Sequence, residues 1–411
     1  MTKNIKPSKD WKTVKVGKYV ISTKGKKPKR ISKEKTTECY LPYVNIKAFE
    51  KGIIDEYTDG VGCVICEEGD FLMVWDGSRS GYVGKAIKGA LGSTLVRLKF
   101  PDLDNNYAYY FLQSKYIEIN TRAKGVGIPH VDPNLLWNYE LLIPPIETQQ
   151  AIVSKIEELF SELDKGIEDL KTAQQQLKTY RQSVLKWAFE GKLTNENVKD
   201  GELPHGWKWK NIEFLLIDKK KGMGTGPFGT MLKKSEHQKS GIPVLGIENI
   251  GEGIFQMPNK IFVSTEKAIV LKNFRVKEND IIISRSGTVG EICLLPKAME
   301  NSIISTNLIR VSLNLEIIDP KYFVYLFQGG KVRQQVYDLC KGSSRAFLNQ
   351  TILNSLDFPY CKIEEQYQIV QEIESRLSVA DKMEESIAQS LQQAEALRQS
   401  ILKKAFSGEL V

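Results

Sequence analysis

The chain has 411 residues, of which 41% are apolar and 26% are charged, so it is long enough for two or three domains and too apolar for a disordered protein. No apolar run reaches the length of a membrane span, and the lysine-rich start lacks the apolar core of a signal peptide, which predicts a cytoplasmic protein without a membrane segment. Six cysteines in a chain of this length exclude a disulfide framework. The formal charge of +8 is a mild basic bias, compatible with nucleic acid.

The basic residues are concentrated at the start of the chain. Residues 1–35 hold thirteen Lys or Arg and two acidic residues. The segment is either a solvated, partly mobile tail or an arm that contacts phosphates, and the sequence leaves both interpretations open. Lys27, Lys29 and Arg30 are the candidate phosphate-contacting residues of this arm.

An internal repeat organises the chain. Segment 146–193 aligns with 363–410 without a gap, and 22 of the 48 positions are identical, far above the two or three expected by chance. Looser similarity extends upstream of both segments. The order is therefore a globular unit, a long segment, a second globular unit and a second long segment.

Both repeated segments are predicted to be long helices. Their apolar residues recur every three or four positions, neither contains proline, and Gly191 and Gly408 are suitable stops. A helix of about 45 residues is roughly 65–70 Å long, so each needs a partner for its apolar stripe, either the other helix or a second copy of the chain. Met383 and Leu397 continue the stripe. The predicted coiled-coil seam consists of Ile152, Ile156, Leu163, Leu170, Leu177, Val184, Ile369, Ile373, Ala380, Ile387, Ala394 and Ile401.

The predicted division has four parts. Residues 1–145 form a first globular domain and 146–193 the first helix, while 194–362 form a linker and second domain and 363–411 the second helix. Short β-branched runs alternate with glycine-rich turns in both domains, which predicts a mixed α/β (α+β) fold.

One glycine-rich loop lies between lysines. The run 224–229 fits G-x-G-x-x-G, but no apolar strand precedes it and Pro227 lies inside it, so a dinucleotide site is disfavoured. A glycine loop between lysines suits close approach to phosphates, while a plain surface loop stays the alternative. The flanking candidates are Lys219, Lys220, Lys221, Lys233 and Lys234.

Two further pairs of turns carry Arg, Lys and hydroxyl side chains. Arginine with serine or threonine on a glycine-bounded loop can contact phosphates or a guanine edge, although each is equally consistent with a structural turn. The turns 77–81 and 284–288 are predicted to be equivalent. The candidates are Ser78, Arg79, Ser80 and Lys124 in the first domain, and Arg285, Ser286, Thr288, Lys341, Ser343, Ser344 and Arg345 in the second.

No catalytic or metal-binding pattern emerges. Cys63 and Cys66 form a lone C-x-x-C without the second pair that structural zinc needs, and the three histidines are scattered. There is no Walker A motif, no G-x-S-x-G and no methyltransferase-type Asn-Pro-Pro-Tyr. The sequence predicts a protein that is not itself an enzyme and binds no metal.

The chain resembles the specificity (S) subunit of type I restriction-modification systems over nearly its whole length. Pro144-Pro145-Ile146-Glu147-Thr148-Gln149 looks like the family's Pro-Pro-x-x-Glu-Gln start of a helix, and Ile363-Glu364-Glu365-Gln366 repeats it. Leu203-Pro204-His205-Gly206-Trp207 looks like the opening of a second target-recognition domain, and Gly226-Pro227-Phe228-Gly229 is also family-like. The first domain lacks such an opening, and the second junction reads Pro359-Tyr360-Cys361 in place of a double proline.

The resemblance implies a non-catalytic reader of double-stranded DNA. Each target-recognition domain would read one half of a bipartite site, and the helices would pair antiparallel as a spacer. Two modification subunits that bind S-adenosylmethionine would dock on the helices and domains, and restriction subunits that use ATP and Mg²⁺ for translocation would join them. This chain would bind no cofactor.

Two alternatives remain at this point. One is a coiled-coil scaffold whose domains bind proteins, and the other is a stand-alone methyltransferase, which the missing motif disfavours. The charge distribution favours DNA binding by the domains. The two helical segments have net charges of −1 and −4, which leaves +13 on the rest of the chain.

Overall fold

The computed structural model describes residues 11–195, 198–199, 201–251, 253–340 and 347–410. The chain divides into two compact units, Met1–Lys171 with Ala388–Val411, and Thr172–Ile387. The boundary lies within the two long helices, so it differs from the predicted four-part division. Each unit combines one globular domain with part of both helices. No helix among the described residues is long and apolar enough to cross a membrane.

The domain of unit 1 is a mixture of short strands and helices. The strands are β1 (Lys12–Lys15), β2 (Ile21–Lys24), β3 (Leu41–Val44), β4 (Tyr57–Thr58), β5 (Ile65–Cys66), β6 (Phe71–Val74), β7 (Val83–Lys85), β8 (Gly89–Leu91), β9 (Leu95–Lys99) and β10 (Glu140–Ile143). The helices are α1 (Ile46–Lys51), α2 (Asn105–Thr121), α3 (Pro133–Trp137) and the long α4 (Ile146–Phe189).

The strands form three sheets with orders β2-β9-β6-β7, β4-β3-β8-β5 and β1-β10. The pair β3 and β8 is parallel, and the other pairs are antiparallel. Strands β1 and β2 belong to the basic N-terminal segment. The interpretation of residues 1–35 as a solvated, partly mobile tail is therefore wrong in part, because the backbone of β1 and β2 is hydrogen-bonded into sheets. The part before Trp11 lies outside the described residues.

Unit 2 repeats this arrangement. Its strands are β11 (Lys208–Asn211), β12 (Met223–Thr225), β13 (Ile242–Leu245), β14 (Ile261–Val263), β15 (Ile281–Ser284), β16 (Ile292–Leu294), β17 (Ile303–Ile304), β18 (Leu308–Val311) and β19 (Asp357–Tyr360). Its helices are α5 (Ile212–Leu215), α6 (Thr265–Val270), α7 (Pro320–Gln328), α8 (Gly330–Cys340), α9 (Gln350–Asn354) and the long α10 (Ile363–Ser407).

The sheets of unit 2 have the orders β12-β18-β15-β16, β14-β13-β17 and β11-β19. They match those of unit 1, including one parallel pair, β13 with β17, except that β5 of unit 1 has no counterpart strand among the described residues of unit 2. The central strands β6 and β15 are buried over their whole length, as expected for apolar runs covered on both faces. The predicted duplicated α+β fold is confirmed, and the structure extends the duplication into regions where the sequences have diverged.

The long helices pair antiparallel within each unit. In unit 1, Asp164 of α4 accepts a hydrogen bond from Arg398 of α10. In unit 2, Arg181 of α4 bonds Asp381 of α10 at 2.6 Å and Glu384 at 3.0 Å. The first half of α4 thus contacts the end of α10, and its second half contacts the start of α10. The arginine and aspartate of one pair are the repeat equivalents of those of the other.

The predicted seam residues lie on the buried side of the helices. Leu163, Leu170, Leu177 and Ile387 are half-buried. Met383 and Leu397 are 52% and 51% exposed, so the stripe is narrower than predicted. A stripe read at every third or fourth residue is wider than the contact line between two helices. The buried members are Ile152, Ile156, Val184, Ile369, Ile373, Ala380, Ala394 and Ile401.

The seam residues near the helix ends also belong to the domain cores. In unit 1, Ile152, Ile156 and Ile401 pack into the same apolar cluster as α2 and β9. In unit 2, Val184 and Ile369 pack with α7, β15 and β18. Each domain therefore cannot complete its core without both helices.

A buried glutamine at the start of each long helix ties the helix to its domain. The side chain of Gln149 accepts from Asp104 N–H at 2.9 Å and donates to Pro144 O at 2.9 Å. Gln366 accepts from Asp319 N–H at 2.9 Å and donates to the carbonyls of Ile317 and Cys361, both at 2.9 Å. Both glutamines are at most 2% exposed. The glutamine of the repeated Ile-Glu-x-Gln motif thus has a structural role.

We predict that Gln366→Leu destabilises unit 2 by about 2–4 kcal/mol, because it leaves the buried N–H of Asp319 and two carbonyls without a partner. Thermal unfolding followed by circular dichroism measures the effect. Gln368→Leu, on the exposed face of α10, is the matched control and should change stability little. Equal losses for the two variants would contradict this role for Gln366.

Candidate nucleic-acid interface

Three segments of unit 1 meet beyond the ends of β2, β6 and α2. Lys24 forms an ion pair with Asp76 at 2.9 Å, and Gly77 N–H donates to Pro129 O at 2.8 Å. Lys124 and His130 exchange backbone hydrogen bonds of 2.9 and 2.7 Å, which close the third segment into a loop. We call residues 25–30, 75–81 and 122–131 the three-loop face of unit 1. It brings together all the predicted candidates of the first domain.

Unit 2 builds the corresponding surface from residues 226–229, 285–290 and 347–348, which we call the three-loop face of unit 2. Leu348 N–H donates to Arg285 O at 2.9 Å, and Thr306 donates its hydroxyl hydrogen bond to Pro227 O. Lys341, Ser343, Ser344 and Arg345, predicted to contribute here, lie outside the described residues.

One glycine has the same function in both faces. The N–H of Gly25 donates to Leu95 O at 3.0 Å, and that of Gly226 donates to Leu308 O at 3.4 Å. A Cβ at either position would lie 2.1 Å from a backbone oxygen, of Gly92 and Ser305 respectively. The first loop of each face is thus pressed against a neighbouring turn in a way only glycine permits.

The structure corrects the predicted equivalence of the two arginine turns. The carbonyl of Trp75 accepts from Val131 N–H at 2.9 Å, just as that of Arg285 accepts from Leu348 N–H. Arg285 therefore occupies the position of Trp75 and not that of Arg79. The prediction matched the Ser-Arg-Ser sequences of the two turns, but Arg285 directly follows β15, whereas Arg79 lies five residues after the end of β6.

Several of the predicted cations already have acidic partners. Arg30 pairs with Glu38 at 3.0 Å, and Lys124 pairs with Asp132 at 2.9 Å. Arg79 pairs with Glu50 at 3.0 Å, and its guanidinium lies 4.0 Å from the ring centroid of Tyr82. Within the described part of the chain, other candidate lysines are exposed and form no ion pair. These are Lys27, Lys29, Lys219, Lys220, Lys221, Lys233 and Lys234.

Two of the predicted hydroxyl groups, those of Ser286 and Thr288, form hydrogen bonds within the protein, and a third, that of Ser80, is buried. Ser80 is completely buried, and its predicted contact with DNA is contradicted. The side-chain amide of Asn120 holds this turn by donating to the carbonyls of Ser78 and Ser80, both at 3.0 Å, while the Ser80 hydroxyl has no hydrogen-bond partner among the described residues. Ser286 bonds the side chain of Asn307 at 2.8 Å, and Thr288 bonds Ser284 at 3.1 Å. Ser78 and Thr288 are exposed.

Sequence reasoning missed the apolar tips of both faces. In unit 1, Val126 is fully exposed and Ile128 is 69% exposed. In unit 2, Phe228 and Phe347 are 52% and 40% exposed. Apolar residues beside glycines, as in Gly125-Val126-Gly127-Ile128, were the available signal. Apolar side chains on a cationic surface suit contacts with base edges or with the faces of bases.

The buried cysteines serve as apolar core residues. Burial raises the pKa of Cys66 to about 11 and that of Cys293 to about 12, so both thiols stay protonated at neutral pH. Among the described residues, no group of three or more His, Cys, Asp or Glu is arranged to hold a metal ion.

Each unit also has a polar cleft between its domain and its helices. The cleft of unit 1 has a volume of about 590 Å³ and that of unit 2 about 1050 Å³. Their linings correspond: Tyr110, Gln113, Glu157, Asp164 and Arg398 in unit 1, and Tyr325, Gln328, Glu374, Asp381 and Arg181 in unit 2. Burial raises the pKa of both tyrosines, that of Tyr110 to about 12.

The chain is similar to known proteins over nearly its whole length. A sequence model of the type I restriction modification DNA specificity domain matches residues 8–172 and 227–395. The type I restriction enzyme MjaVIII specificity subunit of Methanocaldococcus jannaschii is 26% identical, with 98% of this chain and 93% of the relative aligned. The EcoBI specificity subunit of Escherichia coli is also 26% identical, over 90% of this chain and 80% of the relative.

Two solved structures share the fold. A chain in a structure describing assembly and conformational transition of the type I R-M system has a TM-score of 0.72 at 19% identity, covering 98% of this chain and all of that one. The HsdS subunit of Thermoanaerobacter tengcongensis has a TM-score of 0.56 at 18% identity and covers 98% of both chains.

We predict that Lys124→Gln raises the pKa of Asp132. In the wild type, the hydrogen bond from Lys124 holds this pKa below its usual value. A depressed pKa contributes stability at neutral pH, and this contribution is lost as the pH falls through the folded-state value. Titration of the Asp132 carboxyl carbon by NMR measures the change, with Lys124→Arg as the charge-retaining control. An unchanged pKa in Lys124→Gln would contradict the assignment.

Proposed function

Since this chain belongs to the type I restriction-modification DNA specificity family, we propose that its two three-loop faces each read one half of a bipartite double-stranded DNA site. The supporting observation is that both units build the face on one backbone framework with different side chains. Gly25 and Gly226 occupy equivalent places, whereas Trp75 and Arg285 differ completely in chemistry. A common framework with different tips suits two half-sites of different sequence.

The distribution of charge supports this assignment. Lys27 and Lys29 are exposed in the three-loop face of unit 1, and Lys233 and Lys234 are exposed a few residues after the first loop of the face of unit 2, while the helical segments have net charges of −1 and −4. Because these lysines form no ion pair with any described residue, they are available to bind phosphates. Phosphate contacts position a protein on DNA without specifying sequence.

The paired helices suit the role of a spacer. Helix α4 is continuous from Ile146 to Phe189 and contributes to both units, as does α10. Because the two Arg–Asp pairs have the same register, the helices are equally fixed in each unit.

The two equivalent polar clefts are our candidates for docking two copies of one modification subunit. A duplicated chain offers the same surface twice, which two identical partners require. In this proposal S-adenosylmethionine is bound by the modification subunits, ATP and Mg²⁺ are bound by restriction subunits, and the complex works in the cytoplasm. The scaffold alternative has no counterpart in the family match.

The first experiment measures DNA binding by the chain assembled with its modification subunit. We expect the combined substitutions Lys219→Ala, Lys220→Ala and Lys221→Ala to weaken binding similarly for all sequences. The slope of log affinity against log salt should fall by about 0.9 for each phosphate that the variant no longer binds. Fluorescence anisotropy at several salt concentrations measures both effects. Lys171→Ala, on the exposed face of α4, is the control that should leave the slope unchanged.

The second experiment shortens both helices. Removing 168–174 from α4 and 388–394 from α10 deletes one heptad from each and keeps the seam facing its partner. Seven residues of helix correspond to about 10 Å, or about three base pairs. We expect the preferred spacer between half-sites to shorten by about three base pairs while each half-site sequence is unchanged. A constant spacer length in selected binding sites would refute the spacer role.

A further inference from the structure

One arginine of the unit 2 face has an unusual environment. Arg285 is only 6% exposed. Its guanidinium carbon lies 4.2 Å from the ring centroid of Phe347 and 5.3 Å from that of Phe228. Both aromatic residues are themselves about half exposed, so a buried cation lies between two exposed aromatic side chains.

The charge of Arg285 is poorly compensated within the described part of the chain. Its Nη1 donates to Thr306 O at a long 3.4 Å, and its buried Nε has no hydrogen-bond partner. It forms no ion pair with any described carboxylate, and burial lowers the pKa of the guanidinium. Arg97, Arg275 and Arg310 also have a buried Nε without a partner, so what distinguishes Arg285 is that its charge lies between two exposed rings and has no described carboxylate beside it.

The loops that carry the two rings are fixed independently. Gly226 and the hydrogen bond from Thr306 to Pro227 O hold the loop of Phe228. The segment of Phe347 is held by Leu348, which is completely buried and donates its N–H to Arg285 O at 2.9 Å. Arg285 lies between two anchored segments, and its planar group sets the distance between their rings.

Unit 1 shows that the framework does not need this arrangement. Trp75 occupies the place of Arg285 and packs on Trp137, with the ring centroids 5.8 Å apart. Lys27, two residues after Gly25, corresponds to Phe228, two residues after Gly226. Unit 1 forms the same backbone without the cation or the ring. Arg285 and Phe228 are therefore not required by the framework and are available for recognition.

We propose that Phe228 and Phe347 make the apolar contacts to bases in the half-site read by unit 2, and that Arg285 is the positioning residue that fixes their spacing. Phenyl rings pack against thymine methyl groups or exposed base faces. The exposed Lys233 and Lys234, which follow Phe228 by five and six residues, favour a polyanion over a protein as the occupant. The inference rests on the proposed function, since it names how one of the two faces selects sequence.

The test uses the full complex with the modification subunit. The wild-type site is first defined by selection from random DNA, and affinities are then measured for every single base-pair change in both half-sites. We expect Phe228→Ala and Phe347→Ala each to reduce discrimination by roughly 5- to 100-fold at one or two base pairs of one half-site. Arg285→Lys keeps the charge but removes the planar group. It should reduce discrimination between bases at the same base pairs. The salt slope and the other half-site should be unchanged.

Lys27→Ala is the matched control on unit 1, and any change it causes should fall in the other half-site. If Arg285→Lys fails to fold, the two phenylalanine variants, which remove exposed rings, decide the question alone. Folded phenylalanine variants with an unchanged base profile, or with equal losses at both half-sites, would overturn the inference. A wild-type complex without sequence-selective binding would instead overturn the proposed function.

Discussion

The hydrogen bonds of Gln149 and Gln366 are the constraint on which the rest of each unit depends. Each amide lies in the core and bonds backbone groups of both the domain and the helix start. A buried amide that loses such partners costs far more than an exposed one, so the start of the helix cannot rotate against its domain without a large penalty. The three-loop face is built on the same domain, and its orientation to the adjoining helix is fixed as a result.

Helix pairing and domain folding are one process in each unit. Exposed ion pairs such as Arg181 with Asp381 contribute little stability, although they select one register. Stability comes from the apolar seam, and near the helix ends residues such as Ile156 and Ile369 belong to seam and domain core at once. This sharing explains why the compact units divide in the middle of the long helices and not at their ends.

The helices could be predicted closely from the sequence, whereas the loop faces could not. Helical periodicity and identity across the repeat are local signals, and α4 and α10 begin at Ile146 and Ile363, the first residues of the two repeated segments. The place of Arg285 is fixed by its backbone hydrogen bond with Leu348, and the turn of Ser78 and Ser80 is held by Asn120, which lies in a helix forty residues away. Such tertiary contacts leave no periodic trace in the sequence.

The residues that hold the loops of each face and the exposed residues at the loop tips are subject to different physical requirements. The first determine stability, and the second are available for recognition. Gly25 and Gly226 are fixed by the close approach of backbone oxygens, so the two units agree there despite their divergence elsewhere. At the tips, Lys27 and Phe228 face solvent and carry no such restriction. A substitution at a tip therefore changes which bases are contacted while costing little folding energy. A duplicated scaffold of this kind can acquire a new half-site in one unit while the helices present an unchanged surface to any partner that binds them.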